Sequence, residues 1–470
     1  MDVTLSLQNA LTGLQAAQAN LAVISSNISN AQTPGYSRET VPLYEQIVGD
    51  TGAGVLAGLP QRQVDQNLAN SAMQQDTVAS AANAINTYFQ QIQGLFGQVN
   101  DGNSLGDIFN KFSSAMQTLS TSPNDPIAQQ GVIAAGQSLA EKLNSMSSGI
   151  QQIRAGADSQ IAGDVQTVNA QLQAIAQDNA AITHAKAAGQ STATLEDQRD
   201  RALDQIAKLI GVQDFVRPDG TMVVLTTSGQ VLVDSTAQQL SYTAAGTVTA
   251  GTQLSPLKVG STDITQVTTS GEIGALLSMR DTQLPNLTDE LNQFTNQLFN
   301  ATQSANLATT NSGLGATNDA NHFFAAVDTT NGVDNSATIQ INPDLVTNPG
   351  LLAGPAANPD PTISQALANA VTSPMAFAPA GNFANGTTAT LATYAGQILG
   401  QSASAAAAAS DNATFQSHLQ TAFAARASAV SGVNIDQELA DLTVFQNMYA
   451  ASAHVISAVD NMLTTLMSIR

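Results

Sequence analysis

Cysteine is absent from the 470 residues, and so is tryptophan. Without a thiol the chain can form no disulfide, no thiolate metal site and no cysteine nucleophile. Aromatic residues make up 4% and charged residues 10%, with 14 Lys and Arg against 35 Asp and Glu, for a net charge of −21. So few basic groups supply no patch to neutralise phosphates, which argues against nucleic acid and equally against anionic membrane surfaces. No run approaches the ~18 apolar residues of a bilayer span, so no membrane insertion is expected. The N-terminus lacks both a positive n-region and a compact apolar h-region, so no cleaved signal peptide is expected. Hydrophobic residues nevertheless reach 43%. A core of Ala, Leu, Ile and Val with few aromatics favours narrow helix–helix seams, and this length predicts two or three domains.

Recognisable chemistry is equally sparse. His184, His322, His418 and His454 sit in unrelated contexts, and none lies at ligand spacing to another. No phosphate-binding glycine loop or Gly-x-Ser-x-Gly elbow is present. Asp219-Gly220 lacks the acidic spacing of a calcium loop and reads as a turn. Glu196, Asp197, Asp200 and Asp204 cluster on one helix with Arg199 and Arg201. A metal or acid–base site would use such carboxylates, but a solvated face laced with ion pairs is far commoner. The expectation is a structural protein with no catalytic, cofactor-binding or metal-binding residues and no cofactor.

What the chain does have is periodicity, and it is strongest at the two ends. Ile435, Leu442, Tyr449, Ile456 and Leu463 recur every seven residues, with Phe445, Ser452, Val459 and Leu466 interleaved. That is a heptad seam, widened by Met448, Val455, Met462 and Ile469. Asn434 is placed to cap this helix, with Gln437 as its capping-box partner. One uninterrupted helix of roughly 50 Å follows at 1.5 Å per residue. So apolar a helix needs a partner, and the other end of the chain offers one. Leu7, Leu14, Leu21 and Ile28 repeat every seven residues, with Ala10, Ala17, Ile24 and Ala31 between them.

Between the ends the period changes twice. Residues 40–62 read as strand-like or irregular, and Gly49 to Pro60 as a flexible connector. Helices follow from Gln63, with Ser104 and Asp107 capping one and Asp125-Pro126 starting another, the longest. In that long helix Gly149, Gly156 and Gly163 mark close helix packing or built-in bendability. Leu195 to Ile210 is helical and closed by Gly211. Period-two runs at Val212–Val216, Met222–Thr226 and Val231–Asp234 predict strands. Helix returns at 272–306, with Pro285 expected to kink or split it. The fold class expected is mainly α with a smaller β-rich part. Its divisions are a terminal coiled coil (1–35 and 434–470), a helical bundle (36–211, 270–307 and 400–433), a β-rich segment (212–269) and a loosely structured insert with some β (308–399).

Residues 20–39 are more specific. Ser25, Ser26, Asn27, Ser29 and Asn30 compete for backbone hydrogen bonds as the helix ends, and Thr33-Pro34-Gly35-Tyr36 makes a turn. The stretch Ser26-Asn27-Ile28-Ser29-Asn30 with Thr33-Pro34-Gly35-Tyr36-Ser37-Arg38 resembles the N-terminal signature of the axial proteins of the bacterial flagellum. Ser431–Glu438 with Phe445, Gln446 and Tyr449, together with Leu195–Arg201 running to Val212, is similar to one family among them, the first hook-associated proteins of the hook–filament junction. The Leu195–Arg201 segment is not expected in hook or rod subunits.

The resemblance implies a structural subunit joining hook to filament, exported unfolded by the flagellar type III route and located outside the cell. Its termini would pair in the inner wall of a tube, with the helical middle outside them and the β segments furthest out. Its partners would be copies of itself in a ring, the hook protein, a second junction protein next to the filament, and an export chaperone. The residues implied in subunit packing are Leu7, Leu14, Leu21, Ile24, Asn27, Ile28, Asn30, Pro34, Gly35 and Tyr36, with Leu442, Phe445, Tyr449, Ile456, Val459, Leu463 and Leu466. The alternatives are a hook or distal-rod protein or, from another class, a secreted enzyme or carbohydrate-binding module.

Overall fold

The computed structural model describes residues 3–48, 51–97, 102–303, 322–325, 334–353 and 361–468. Within them the fold is mainly α with a smaller β part. Helix α1 (Val3–Asn30) is followed by strands β1 (Glu39–Thr40), β2 (Leu43–Val48), β3 (Thr51–Ala57) and β4 (Gln61–Arg62). Next come α2 (Gln66–Phe96), α3 (Leu105–Thr121), α4 (Pro126–Ala187) and α5 (Ala193–Leu209). Each of α2, α3 and α4 starts on a side-chain cap. Asp65 Oδ1 accepts from Asn67 N at 2.9 Å, Ser104 Oγ from Asp107 N at 3.2 Å, and Asp125 Oδ1 from Ile127 N at 3.0 Å.

Helix α4 runs 62 residues, which at 1.5 Å per residue is about 90 Å. Its buried row Leu139, Leu143, Met146, Ile150, Arg154, Ala157, Ile161, Val165, Val168, Leu172 and Ile175 keeps a three-four spacing throughout. This row is the spine on which α3, α5 and later helices pack. Two small antiparallel sheets follow. The first is β5 (Val212–Val216), β6 (Met222–Thr226) and β7 (Val231–Val233); the second is β8 (Leu240–Ser241), β9 (Lys258–Val259) and β10 (Thr262–Asp263).

Helix α6 (Gly271–Ser278) passes through a π-helical turn at Met279–Gln283 into α7 (Leu284–Ala301). Pro285 sits in the first turn of α7 with no N–H to donate, and the π turn just before it closes on Leu284 N–H to Met279 O, so the helical run continues through a wide turn rather than breaking. The turn also buries Arg280, whose Nη1 reaches Asp158 at 3.3 Å and Ser255 O at 3.1 Å and also contacts Tyr242 Oη. That cluster ties the β part to α4, and no sequence pattern announced it.

Short elements complete the core: α8 (Asn335–Thr338), α9 (Pro343–Thr347), a 3-10 turn at Pro349–Ala353, α10 (Thr362–Thr372) and the hairpin of β11 (Met375–Phe377) and β12 (Thr387–Ala389). Parts of the insert expected at 308–399 fall on residues 308–321, 326–333 and 354–360, outside the described residues. Its described parts are not loose. Phe323, Phe324, Ile339, Leu345, Leu352, Ile363, Leu367 and Val371 are buried in the same core as α3, α4 and α7. Phe324 lies 5.9 Å from Phe112 and Phe323 5.4 Å from the same ring. Only Ile363, Leu367 and Val371 on α10 keep a helical spacing; the other anchors leave no period to read. Helix α11 (Leu391–Ser431) then returns along α2, and α12 (Ile435–Ser468) along α1.

Two expectations are corrected here. Gly49 to Pro60 is not a free connector, because its described residues supply β3, which pairs with β2 in register Leu43↔Ala57 and Tyr44↔Leu56. Gly54 (φ +109) lets β3 lie on α1, since a Cβ there would stand 2.1 Å from Thr12 Oγ1. The acidic helix carries the expected ion pairs, to Arg62, and its Asp204 is exposed, but it is not solvated throughout. Asp197 and Arg199 are each 2% exposed. Arg199, its pKa lowered by burial, donates to Gly220 O at 2.7 Å. Charges this buried must be paired or hydrogen-bonded.

Candidate assembly face at the paired termini

Helices α1 and α12 pack antiparallel. Asn27 Nδ2 meets Glu438 Oε2 at 3.0 Å, while a Cβ on Gly13 would stand 3.2 Å from Ser452 Oγ. Between these contacts the register moves 14 residues back along α1 and 14 forward along α12, which is two heptads. The buried face of α1 begins with small residues, Ala10, Ala16 and Ala17, and continues through Asn20, Val23, Ile24 and Asn27. Small side chains allow the close approach that brings Gly13 to Ser452. Leu7, Leu14, Leu21 and Ile28 flank that face and are only half-buried.

On α12, Val459 is buried, while Leu442, Phe445 and Ile456 are half-buried. Tyr449 and Leu463 are exposed, at 38% and 44%. The side chain of Leu466 lies outside the described residues. Two helices bury one seam, but the apolar face of α12 is wider than one seam. Ile435, Leu439, Val444, Val455 and Met462 therefore remain in solvent, each more than 40% exposed. The β2–β3 hairpin extends the same end of the molecule with exposed Leu43, Tyr44, Ile47 and Leu56. The exposed side chains of α12 flank its buried seam on both sides, and exposed apolar surface on this scale marks an interaction site.

The signature residues behave differently. Asn27 is 1% exposed and satisfies all its polar capacity inside the chain. Its Nδ2 donates to Glu39 O at 2.9 Å and to Glu438, and its Oδ1 accepts from Tyr36 Oη at 2.9 Å and Glu39 N at 3.0 Å. Burial raises the Tyr36 pKa, so its hydroxyl stays a donor at neutral pH. Asn30 Nδ2 donates to Ser26 O at 3.0 Å, and its Oδ1 accepts from Thr33 Oγ1 at 3.2 Å. Pro34 and Gly35 are exposed, and Gly35 holds φ +71. These residues fold the loop that ends α1. Asn434 Oδ1 caps α12 by accepting from Asp436 N at 3.0 Å and Gln437 N at 3.3 Å.

Reasoning from sequence missed Glu438 as a partner for the signature. It is fully buried, and Arg38 Nε donates to it at 2.6 Å. A charge of each sign at the two ends of a chain with few cations is a signal, but nothing in one sequence pairs them. Among the described residues, no group of three His, Cys, Asp or Glu could hold a metal ion, and no helix is long and apolar enough to cross a membrane. His322 stacks on Phe299 with ring centroids 3.9 Å apart, deep in the core.

Long helices and paired terminal segments, with apolar side chains left exposed beside their seam, are the build of a structural protein. The family is explicit in the sequence. Residues 89–324 match the flagellar hook-associated protein FlgK helical domain, half of the chain, and the chain belongs to that family. Residues 7–36 match the flagella basal body rod protein family and 425–469 the C-terminal family of the flagellar basal body rod FlgEFG proteins. The chain is 26% identical over 332 residues to flagellar hook-associated protein 1 of Escherichia coli, covering 68% of this chain and 60% of that one. It is 27% identical over 299 residues to the Salmonella typhimurium protein of the same name (61% and 54%), and 26% identical over 251 residues to that of Bacillus subtilis (49% and 48%). The chain thus spans about half to three-fifths of the length of these relatives. The flagellar hook junction protein FlgK of Burkholderia pseudomallei aligns with a TM-score of 0.45 and 24% identity over 55% of this chain and 46% of that one.

Proposed function

We propose that this chain is a structural subunit of the bacterial flagellum that joins the hook to the filament, working by packing rather than by chemistry. One observation carries the reading: the two ends of the chain pair antiparallel and leave Leu439, Val444, Tyr449, Val455 and Leu463 in solvent. In a ring of identical subunits those side chains would be covered by neighbours, and Leu7, Leu14, Leu21, Ile28, Leu442, Phe445, Ile456 and Leu466 would complete the seams. Asn27, Asn30, Pro34, Gly35 and Tyr36 would serve assembly by shaping the loop that ends α1. The partners would be further copies of the chain, the hook protein and a second junction protein next to the filament. A chaperone would cover the terminal helices before export through the flagellar route. The four divisions drawn from the sequence would be inner wall (1–35 and 434–470), outer wall and two outward segments. Family membership across 89–324 favours this over a hook or distal-rod protein.

The test is deletion of the chain in its own host. Cells should finish hooks and release flagellin into the medium while retaining no filament, read by electron microscopy of cell surfaces and a blot of the medium. Hooks bearing normal filaments in the deletion strain would refute the junction role.

A further inference from the structure

Strands β1 and β4 form a ladder of only two rungs, Glu39↔Arg62 and Thr40↔Gln61, extended by Gln63 N donating to Arg38 O at 2.8 Å. Successive residues of a strand point to opposite faces. The 38/63 rung and the 39/62 rung therefore present their side chains to opposite sides, and each side carries one arginine. On the first side Arg38 donates Nη1 to Gln63 Oε1 at 3.0 Å. Its other nitrogens reach α12, Nε to Glu438 at 2.6 Å and Nη2 to Asp441 at 3.1 Å. On the second side Arg62 reaches α5, with Nη1 at 2.7 Å from Asp197 and 2.8 Å from Asp200, and Nε at 3.1 Å from Glu196.

The grip on α5 has two further fingers. Asp197 Oδ2 accepts Ser37 N–H at 3.0 Å, so both oxygens of that buried carboxylate are held by the N-terminal segment. Arg201 donates Nη1 to Gly35 O at 3.1 Å and lays its stem across that residue, where a Cβ would stand 2.4 Å from Arg201 Cγ. We infer that the β1–β4 ladder is an elbow, in which Arg38 and Arg62 grip in opposite directions and so fix the angle between the α1/α12 pair and the helical domain. Buried ion pairs contribute little net stability, but each member is costly to leave alone, which suits them to selecting one arrangement. Burial alone would lower the Arg62 pKa, yet Asp200 and Asp197 raise it, so the grip is charged at every physiological pH. Arg62, Asp197 and Arg38 are positioning residues. The junction reading says what the subunit joins; the elbow says what sets its shape, and it can be tested in the isolated full-length chain.

The absence of cysteine lets spin labels be placed at will. Exposed Gln446→Cys on α12 and Gln177→Cys on α4, measured by pulsed electron–electron resonance, report the angle. The parent should give one narrow distance distribution. Arg62→Gln and Asp197→Asn should each broaden it at least twofold while the helical domain keeps its melting transition. Arg62→Lys, which keeps the charge and loses the fork, should fall between. A broad distribution in the parent, or an unchanged width in both variants, would overturn the elbow. Should either variant fail to fold, Asp200→Asn, at a side chain 31% exposed, supplies the reading. An unchanged width there overturns the elbow too. A deletion strain with normal filaments would leave this result standing.

Discussion

Arg38 Nε and Glu438 Oε1 lie 2.6 Å apart although 400 residues separate them, and the glutamate side chain is 1% exposed. That single contact closes the two ends of the chain on each other where α12 begins. Glu438→Ala leaves Arg38 Nε without its acceptor and Asn27 Nδ2 with Glu39 O alone, while Gln63 and Asp441 still hold the other guanidinium nitrogens. Removing one partner of a buried hydrogen bond costs about 1–3 kcal/mol. The loss should be local, so hydrogen exchange should rise at least tenfold in 3–30 and 435–468 while the α2–α7 core melts as before. Unchanged exchange at both ends would show that the apolar seam alone holds them.

The seam itself makes two opposite demands. Val459 is 2% exposed within the paired termini, whereas Leu463, four residues on, is 44% exposed. Val459→Asp buries an unpaired charge and should separate α1 from α12 in the isolated chain, at several kcal/mol. Leu463→Asp should leave the isolated chain's exchange and melting as they are, and abolish filament attachment in cells. If Leu463→Asp melts the isolated chain as severely as Val459→Asp, the exposed end of the seam at Leu463 belongs to the fold and not to assembly.

The contrast between those two residues marks the limit of what periodicity tells. Heptads gave Leu7, Leu14, Leu21, Ile456 and Leu463 equal standing, because spacing reports one side of a helix and not how much of it a neighbour covers. The caps at Ser104 and Asp125 were legible because a cap is a local event of three residues. An irregularity at Pro285 was legible too, although it takes the form of a π turn within a continuous helical run rather than a split. Buried Asp197 and Arg199 looked like a wet surface, since nothing on α5 shows that Arg62 and Ser37 arrive from more than 130 residues away. Ile363, Leu367 and Val371 do recur every four residues on α10, but the row is only one short helix long, and Phe323, Ile339 and Leu345 outside it carry no period.

Three glycines of α4 look alike in sequence and differ in space. A Cβ on Gly149 would stand 2.4 Å from Leu95 Cδ1, one on Gly156 4.0 Å from Tyr88 Oη, and one on Gly163 would meet nothing within 4 Å. Close packing thus accounts for Gly149 alone. Gly163→Ala should stabilise the helical domain by roughly 0.5–1 kcal/mol, the helix-propensity difference. Gly149→Ala must displace Leu95 and should destabilise it by ~1–3 kcal/mol. Denaturant midpoints of the two variants should move in opposite directions. Movement in the same direction would mean that Leu95 swings aside without cost.

Two buried carboxyls give the helical domain an inverted response to pH. Glu290 is fully buried, and burial pushes its pKa from 4.5 to about 7 despite the two bonds that Asn382 donates to its Oε1. Its Oε2 has no partner. Asp164 is pushed from 3.8 to about 7, by burial first and then by the charge of Glu272. In both cases the folded pKa lies above the unfolded one, so the fold prefers the protonated acid. The associated stability is complete below about pH 4 and is lost as pH rises through about 7. At ~1.4 kcal/mol per unit the Glu290 shift corresponds to on the order of 3 kcal/mol. The melting temperature should therefore be several degrees higher at pH 5.5 than at pH 8, unusual for a protein whose Asp and Glu outnumber its Lys and Arg 35 to 14. Glu290→Gln keeps an acceptor for both Asn382 donors and cannot ionise, so it should raise the melting temperature at pH 8, leave it nearly unchanged at pH 5 and flatten the slope between. A variant that keeps the parent's full slope would show that Glu290 is already ionised at no cost, with its charge answered by the Asn382 amide and backbone.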